Sequence, residues 1–226
     1  MAIERNPLNI CLNDWSTMKI LKTIFAFALA AGIAGFVNIA SAQEAPDALI
    51  KRISTDVLDT AKADKDIQAG NKKKVLSLVE EKILPYIDFG RMTSLAAGPA
   101  WRDATPEQQA QLTKEFRTLL VYTYSGVISS VKDQKITFSP LRGDAGATDG
   151  VEVRSQVVQP RGDTVRLNYR MEKVDSGWKI YDISILGAWL VETYKGNFES
   201  EIAKGGMAGL IKTLADKNKT LANGAS

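Results

Sequence analysis

The sequence predicts an α+β fold: a twisted antiparallel sheet of about four strands with helices on one face, closing either into a solid core or around an apolar cavity. Three observations predict the class. Apolar residues recur at helical spacing over residues 50–131, period-two alternation runs through 151–158 and 165–172, and helical periodicity returns after Gly187. Helices and strands are thus grouped into a helical half, a strand-rich stretch and a helical tail, the order of an α+β domain.

The N-terminus stands apart from that pattern. From Met18 it reads MKILKTIFAFALAAGIAGFVNIASAQ: Lys19 and Lys22, an apolar stretch from about Thr23 to Ile39, then Ala40-Ser41-Ala42. This basic, apolar, A-x-A order is that of a secretory signal peptide, with cleavage expected after Ala42. An uncleaved membrane anchor is the competing reading; Gly32, Gly35 and the small-residue triplet argue against it. Glu4 and Asp14 make residues 1–17 a poor leader, so Met18 is the expected true start. Residues 43–226 then form one domain, a length suited to a single well-buried core.

Composition removes several function classes. The full chain of 226 residues carries +3, and losing Arg5, Lys19, Lys22, Glu4 and Asp14 leaves +2. That is too near neutral to suggest nucleic-acid binding. The single Cys, Cys11, lies upstream of the expected cleavage, so no disulfide staples the exported domain. The chain has no His, which removes Ser-His-Asp and Cys-His catalysis and His-containing zinc sites.

The elements follow in order. Pro46 suits a first helical turn, and Ile50, Ile53, Val57 and Ala61 make the stripe behind it. After Gly70-Asn71 a second helix carries Val75, Leu78, Val79 and Ile83 and ends near Pro85; Lys72, Lys73 and Lys74 read as its solvated first turn. Asp88 caps a short helix with Phe89, Met92 and Leu95, which Gly98-Pro99 stops. Thr105-Pro106-Glu107-Gln108 is a capping box, opening a stripe of Leu112, Phe116, Leu119, Leu120, Thr123, Val127 and Val131. Gly126 inside that stripe suggests a close packing contact.

Residues 136–141 form a weak strand that Pro140 assigns to an edge. In 151–158, Val151, Val153 and Val157 alternate with polar residues, as do Val165, Leu167, Tyr169 and Met171 in 165–172. The two make a hairpin, joined by the turn PRGD, with one dry face. The next strand, GWKIYDISI (177–185), reads as apolar on both faces: Trp178 and Ile180 one way, Tyr181, Ile183 and Ile185 the other. Leu190, Val191, Tyr194 and Phe198, then Leu210, Ile211 and Leu214, mark the helical tail.

Several motifs have plain structural readings. DFG at 88–90 is a helix cap, since no Gly-rich loop or H-R-D accompanies it. RGD at 142–144 and 161–163 falls where turns between strands demand Gly-Asp. Asn218-Lys219-Thr220 is a formal sequon in a polar tail. Asp182, an acid inside an apolar strand, must find donors or lose its charge. It reads as a hydrogen-bond anchor, with Arg91, Arg102 and tyrosines as donor candidates, and no second acid stands at the spacing of a dyad. Nothing points to a metal or cofactor. What remains is an excess of oily surface, consistent either with one solid core or with a space for an apolar ligand.

Three segments in this order, LPYIDFGRMTSLAAGPAWRDATPEQQAQLTKEFRTLLVYTY (84–124), GWKIYDISILGAWLVETYKGNF (177–198) and GGMAGLIKTL (205–214), resemble the MlaC family of toluene-tolerance auxiliary proteins. The resemblance implies a periplasmic protein that is not an enzyme and holds a glycerophospholipid in an interior pocket. It also implies two partners: an outer-membrane lipoprotein–porin complex and an inner-membrane MCE/ABC transporter complex. Trp189 stands where the family usually has a small residue, which would narrow the pocket, and Lys195 where it has arginine, which would weaken a bidentate contact.

Strand parity and helix stripes assign the pocket wall. The helical half contributes Leu84, Met92, Leu95, Phe116, Leu120 and Tyr124. The hairpin contributes Val157, Leu167 and Tyr169. The last strand and tail contribute Tyr181, Ile183, Ile185, Ala188 and Val191, and a charge at Ile183 or Ala188 is expected to abolish lipid loading. Two other classes compete: an NTF2-like enzyme using Asp182 as base on a small hydrophobic substrate, and a solid-cored adaptor. The signal assignment makes a direct prediction: intact-mass measurement of the exported protein returns an N-terminus at Gln43, and retention of residues 18–42 would indicate the anchor.

Overall fold

The computed structural model describes residues 44–141, 150–159 and 164–223. The expected signal segment 1–42, both RGD triplets and the turn PRGD lie outside these described residues. Helix α1 (Pro46–Ala63) starts at its proline and buries Leu49, Ile50, Ile53 and Ala61. The short α2 (Lys65–Gln68), not anticipated, is capped by the Asp64 carboxylate, which accepts the N–H groups of Asp66 and Ile67. Asn71 caps α3 (Lys72–Lys82), and a 3₁₀ turn at Leu84–Tyr86 follows. Asp88 caps α4 (Phe89–Ala97) by accepting the Arg91 N–H at 2.8 Å, the structural role expected of DFG. Gly98, at φ 61°, turns the chain away in a conformation that disfavours side chains.

The capping box opens α5 (Pro106–Tyr124) as expected. Thr105 Oγ1 accepts from Gln108 N at 3.3 Å, and Gln108 Oε1 accepts from Thr105 N at 3.0 Å. The helix does not run on to Val131: it breaks at Ser125, and a single turn, α6 (Gly126–Ser129), follows. A Cβ at Gly126 would meet nothing within 4 Å. This glycine sits exposed at the break and makes no close packing contact, contrary to expectation.

The sheet is an antiparallel meander, β1 (Lys135–Phe138), β2 (Val151–Val158), β3 (Val165–Val174), β4 (Gly177–Ile185) and β5 (Ala188–Trp189), paired in chain order. β1 is an edge strand and β2–β3 the expected hairpin. The fifth strand, two residues beyond Gly187, is one more than the apolar pattern resolved. In β4 the register shifts. Met171 pairs with Ile180 but Tyr169 pairs with Ile183, so two residues on β3 oppose three on β4 and Tyr181 is the extra one.

This bulge corrects the two-faced reading of β4. Residues opposite one another share a face, so Ile183 and Ile185 join Ile180 on the side of Leu167, Tyr169 and Met171. Parity counted without the bulge puts them on opposite sides. Tyr181 instead lies under the Arg91 guanidinium, 4.1 Å from its ring centroid, and Arg91 also pairs with Glu172.

The buried apolar residues form three clusters. Between α4, α5 and α7 (Leu190–Asn223, broken at Gly205 and Gly206), Phe116 is the centre, with Tyr194 and Phe198 edge-on at 5.0 Å. A second cluster sets Leu49, Ile50 and Ile53 of α1 against Val151, Val153, Met171, Trp178 and Ile180. The third joins Ala61, Ile67, Val75 and Leu78, with Ile128 and Val131 packed against it. Asn218, expected in a polar tail, is buried and donates to the Glu115 carbonyl at 2.9 Å and to its carboxylate at 2.8 Å.

Asp182 lies on the face of β4 away from these clusters, paired across the sheet with Arg170. It is 1 % exposed. One oxygen accepts the N–H groups of Ile183 at 2.9 Å and Val191 at 3.1 Å; Arg170 Nη1 lies 3.3 Å from the other. Val191 is in the first turn of α7, so Asp182 satisfies an orphan donor of a helix that β4 reaches only through the Leu186-Gly187 corner. The anchor role holds, but its donors are backbone N–H groups and Arg170, not Arg91 or Arg102.

Burial raises the Asp182 pKa above its ordinary 3.8, against the two N–H donors and Arg170, with Glu192 adding to the rise. The folded chain therefore binds this proton more tightly than the unfolded chain. The stability contribution is largest below 3.8 and falls as pH rises through the elevated folded value. Asp182→Asn keeps an acceptor and removes that fall. Asp182→Ala leaves buried N–H groups unpaired, at about 1–3 kcal/mol. Urea unfolding of both variants at acid and neutral pH checks the pair.

Candidate functional site: an apolar pocket between sheet and helices

Where the three clusters meet they leave an apolar pocket of about 500 Å³. The sheet supplies one side: Val157 of β2, Val165, Leu167 and Tyr169 of β3, and Ile183 and Ile185 of β4. All stand on the dry face, and the last two reach it through the bulge at Tyr181. The helices supply the other sides: Met92 of α4, Leu120, Val121 and Tyr124 of α5, and Leu190 at the start of α7. Val79, Ile83 and Leu84 close one end, and Ile87 and Phe89 line the approach to α4.

The rim is more polar. Ser130, Gln134 and Gln159 stand there beside Val127, which is 66 % exposed, while Ser125 is buried in the lining. The break at Ser125 positions this rim, because α6 carries Val127 and Ile128 on a new turn instead of along the α5 stripe.

No Asp, Glu, Lys or Arg is among the described residues that line the pocket. Burial pushes the Tyr169 pKa up against the pull of Ser155 and Ser54. Tyr194, behind Tyr124, is pushed up to about 12 by burial and by Tyr124 itself. Among the described residues no cluster of metal-ligating side chains occurs. Such a lining suits an apolar ligand fixed by a few neutral donors.

Nine of the residues expected in the wall do line the pocket: Leu84, Met92, Leu120, Tyr124, Val157, Leu167, Tyr169, Ile183 and Ile185. Five are elsewhere. Leu95 is 40 % exposed on α4, one turn beyond Met92. Phe116 shares a stripe with Leu120 but faces α7, inside the aromatic cluster. Tyr181 is the bulge residue. Ala188 is exposed in β5, and Val191 is buried between α7 and its neighbours.

Trp189 does not narrow the pocket, because its ring stacks under Arg170 at 3.9 Å. Asp182 stands on the far face of the sheet, so the enzyme reading loses its base. Of the wall residues not anticipated, Val165, Val79 and Ile83 were visible in the same periodic stripes as their neighbours. Ile87 carried no such signal.

Comparison with known proteins agrees with this architecture. The MlaC protein family matches residues 51–216. Toluene tolerance protein ttg2D of Pseudomonas putida is 22% identical over 175 residues, covering 77% of this chain and 80% of its own. The intermembrane phospholipid transport system binding protein MlaC of Haemophilus influenzae is 22% identical over 195 residues, 85% of this chain and 90% of its own. A phospholipid-binding protein from Ralstonia solanacearum, solved in complex with a phospholipid, superposes with a TM-score of 0.73. It is 46% identical and covers 78% of this chain and 98% of its own. The chain belongs to the MlaC family.

Proposed function

We propose that this protein is a periplasmic phospholipid carrier that takes glycerophospholipid between an outer-membrane lipoprotein–porin complex and an inner-membrane MCE/ABC transporter, and so maintains outer-membrane lipid asymmetry. The observation that carries the reading is the apolar pocket of about 500 Å³, lined by no charged side chain among the described residues, in a chain 46% identical to a protein solved with phospholipid bound.

Transfer energetics explain why a carrier needs no catalytic group. Two acyl chains hold roughly 30 methylenes at about 0.8 kcal/mol each, on the order of 24 kcal/mol relative to water. That gross figure exceeds the non-covalent ceiling of about 18–21 kcal/mol, so ordering and desolvation offset part of it. Escape into water is negligible all the same. A bilayer is as apolar as the pocket, so the difference between carrier and membrane is small, and direction must come from partners at each membrane.

Two measurements test this. Residues 43–226 purified from a bacterial host are expected to carry phospholipid, seen as a mass shift in gentle native mass spectrometry and as extractable lipid phosphate. Recovery of apo protein alone would sink the reading. Ile183→Asp puts a charge in the pocket wall and should reduce lipid phosphate at least about ten-fold, since one desolvated charge costs several kcal/mol. Ala188→Glu, at an exposed position, should leave loading intact; equal loss in both folded variants would mean a different wall holds the lipid.

A further inference from the structure

The Ile87–Phe89 segment has a second side. Between α5 and the β3–β4 hairpin lies an open groove of about 470 Å³, lined by the Ile87–Phe89 segment together with Ala110, Thr113 and Val174. Ile87 and Phe89 also line the apolar pocket, so the two concavities share this wall. The groove's charges are unequal. Lys114 and Arg117 of α5 and Lys179 of β4, whose ammonium donates to the Pro85 carbonyl at 2.6 Å, line it with one acid, Asp88, which is occupied in capping α4.

Among the described residues neither Lys114 nor Arg117 makes an ion pair. Arg91 differs, being committed to Glu172 and Tyr181. Arg117 lies instead 6.0 Å from the ring centroid of Phe89, on the shared wall. Two cations without ion pairs, in a recess that also presents Ile87, Phe89, Ala110 and Val174, match an extended segment carrying carboxylates and apolar side chains. A planar bilayer surface meets convex patches and does not enter such a recess.

We infer that this groove docks an acidic segment of a partner protein, and that the Ile87–Phe89 wall transmits that docking to the lipid pocket. Carboxylates entering the groove compete for Arg117 and draw it from the Phe89 ring, loosening one side of the pocket. The coupling rests on the carrier reading above; the docking site does not.

The test uses the purified chain with fluorescein-labelled hexaglutamate, hexaglutamine as the neutral control, and vesicles of equal phosphatidylglycerol and phosphatidylcholine. Anisotropy should show hexaglutamate binding that weakens with added salt. It should fall about ten-fold or more in the double variant Lys114→Glu, Arg117→Glu, and persist in Lys73→Glu, Lys74→Glu, whose exposed lysines lie on α3. No binding, or equal loss in both variants, would overturn the docking site. So would vesicle binding that the groove substitutions abolish while hexaglutamate fails to bind, since the occupant would then be a membrane.

For the coupling, lipid phosphate passed to acceptor vesicles should rise about ten-fold when hexaglutamate saturates the groove, and that rise should be lost in the groove variant. Unchanged transfer with the peptide bound overturns the coupling and leaves the docking site standing. A chain that carries no lipid phosphate overturns the carrier reading and the coupling with it, while the peptide arm still decides the groove.

Discussion

A strand with period two presents alternate residues to opposite faces, and a one-residue slip exchanges the faces entirely. β4 uses such a slip. Up to Ile180 it supplies the cluster beneath α1, and from Ile183 it supplies the pocket beneath α4 and α5, both on the same face because Tyr181 is an extra residue. Without the bulge Ile183 and Ile185 would point away from the helices, and Asp182 and Ser184 would point at them. The pocket's lining and the position of the Asp182 anchor follow from the same residue.

The anchor matters because β4 and α7 are joined by a tight corner. Leu186 has φ 55° and Gly187 φ 94°, and only two residues of β5 follow before α7 begins. Trp189, the residue before this helix, has no side-chain acceptor for its first N–H groups, and Asp182 reaches back to one of them. Arg170 pairs with that carboxylate and covers Trp189, holding the corner from the solvent side. Leu190, next in the chain, then faces the pocket. A structural ion pair on one face of the sheet thus supports an apolar wall on the other.

Three clusters in place of one core are the other condition for a pocket. Each packs around its own helix contacts: Phe116 with Tyr194 and Phe198, α1 on the sheet, and Ala61 with Ile67 and Val75. Aromatic packing at Phe116 keeps α5 and α7 together, while Leu120 and Tyr124 further along α5 turn to open space. Among the described residues the pocket lining carries no charge, which suits acyl chains, and Lys114, Arg117 and Lys179 stand outside it on the groove behind Phe89.

Periodicity, caps and composition were enough to determine from the sequence alone the five longer helices, the hairpin, the Asp88 and Thr105 caps and the α+β class, because these are local and repeat every two or 3.6 residues. Segments 84–124, 177–198 and 205–214 were also enough to suggest the family. Only the tertiary structure decided which apolar residues line the pocket. Phe116 and Leu120 share one stripe yet face different neighbours, and the side on which Ile183 stands depends on pairing with Tyr169. The bulge at Tyr181 and the break at Ser125 are set by contacts between elements distant in sequence, so no pattern within either segment contains them.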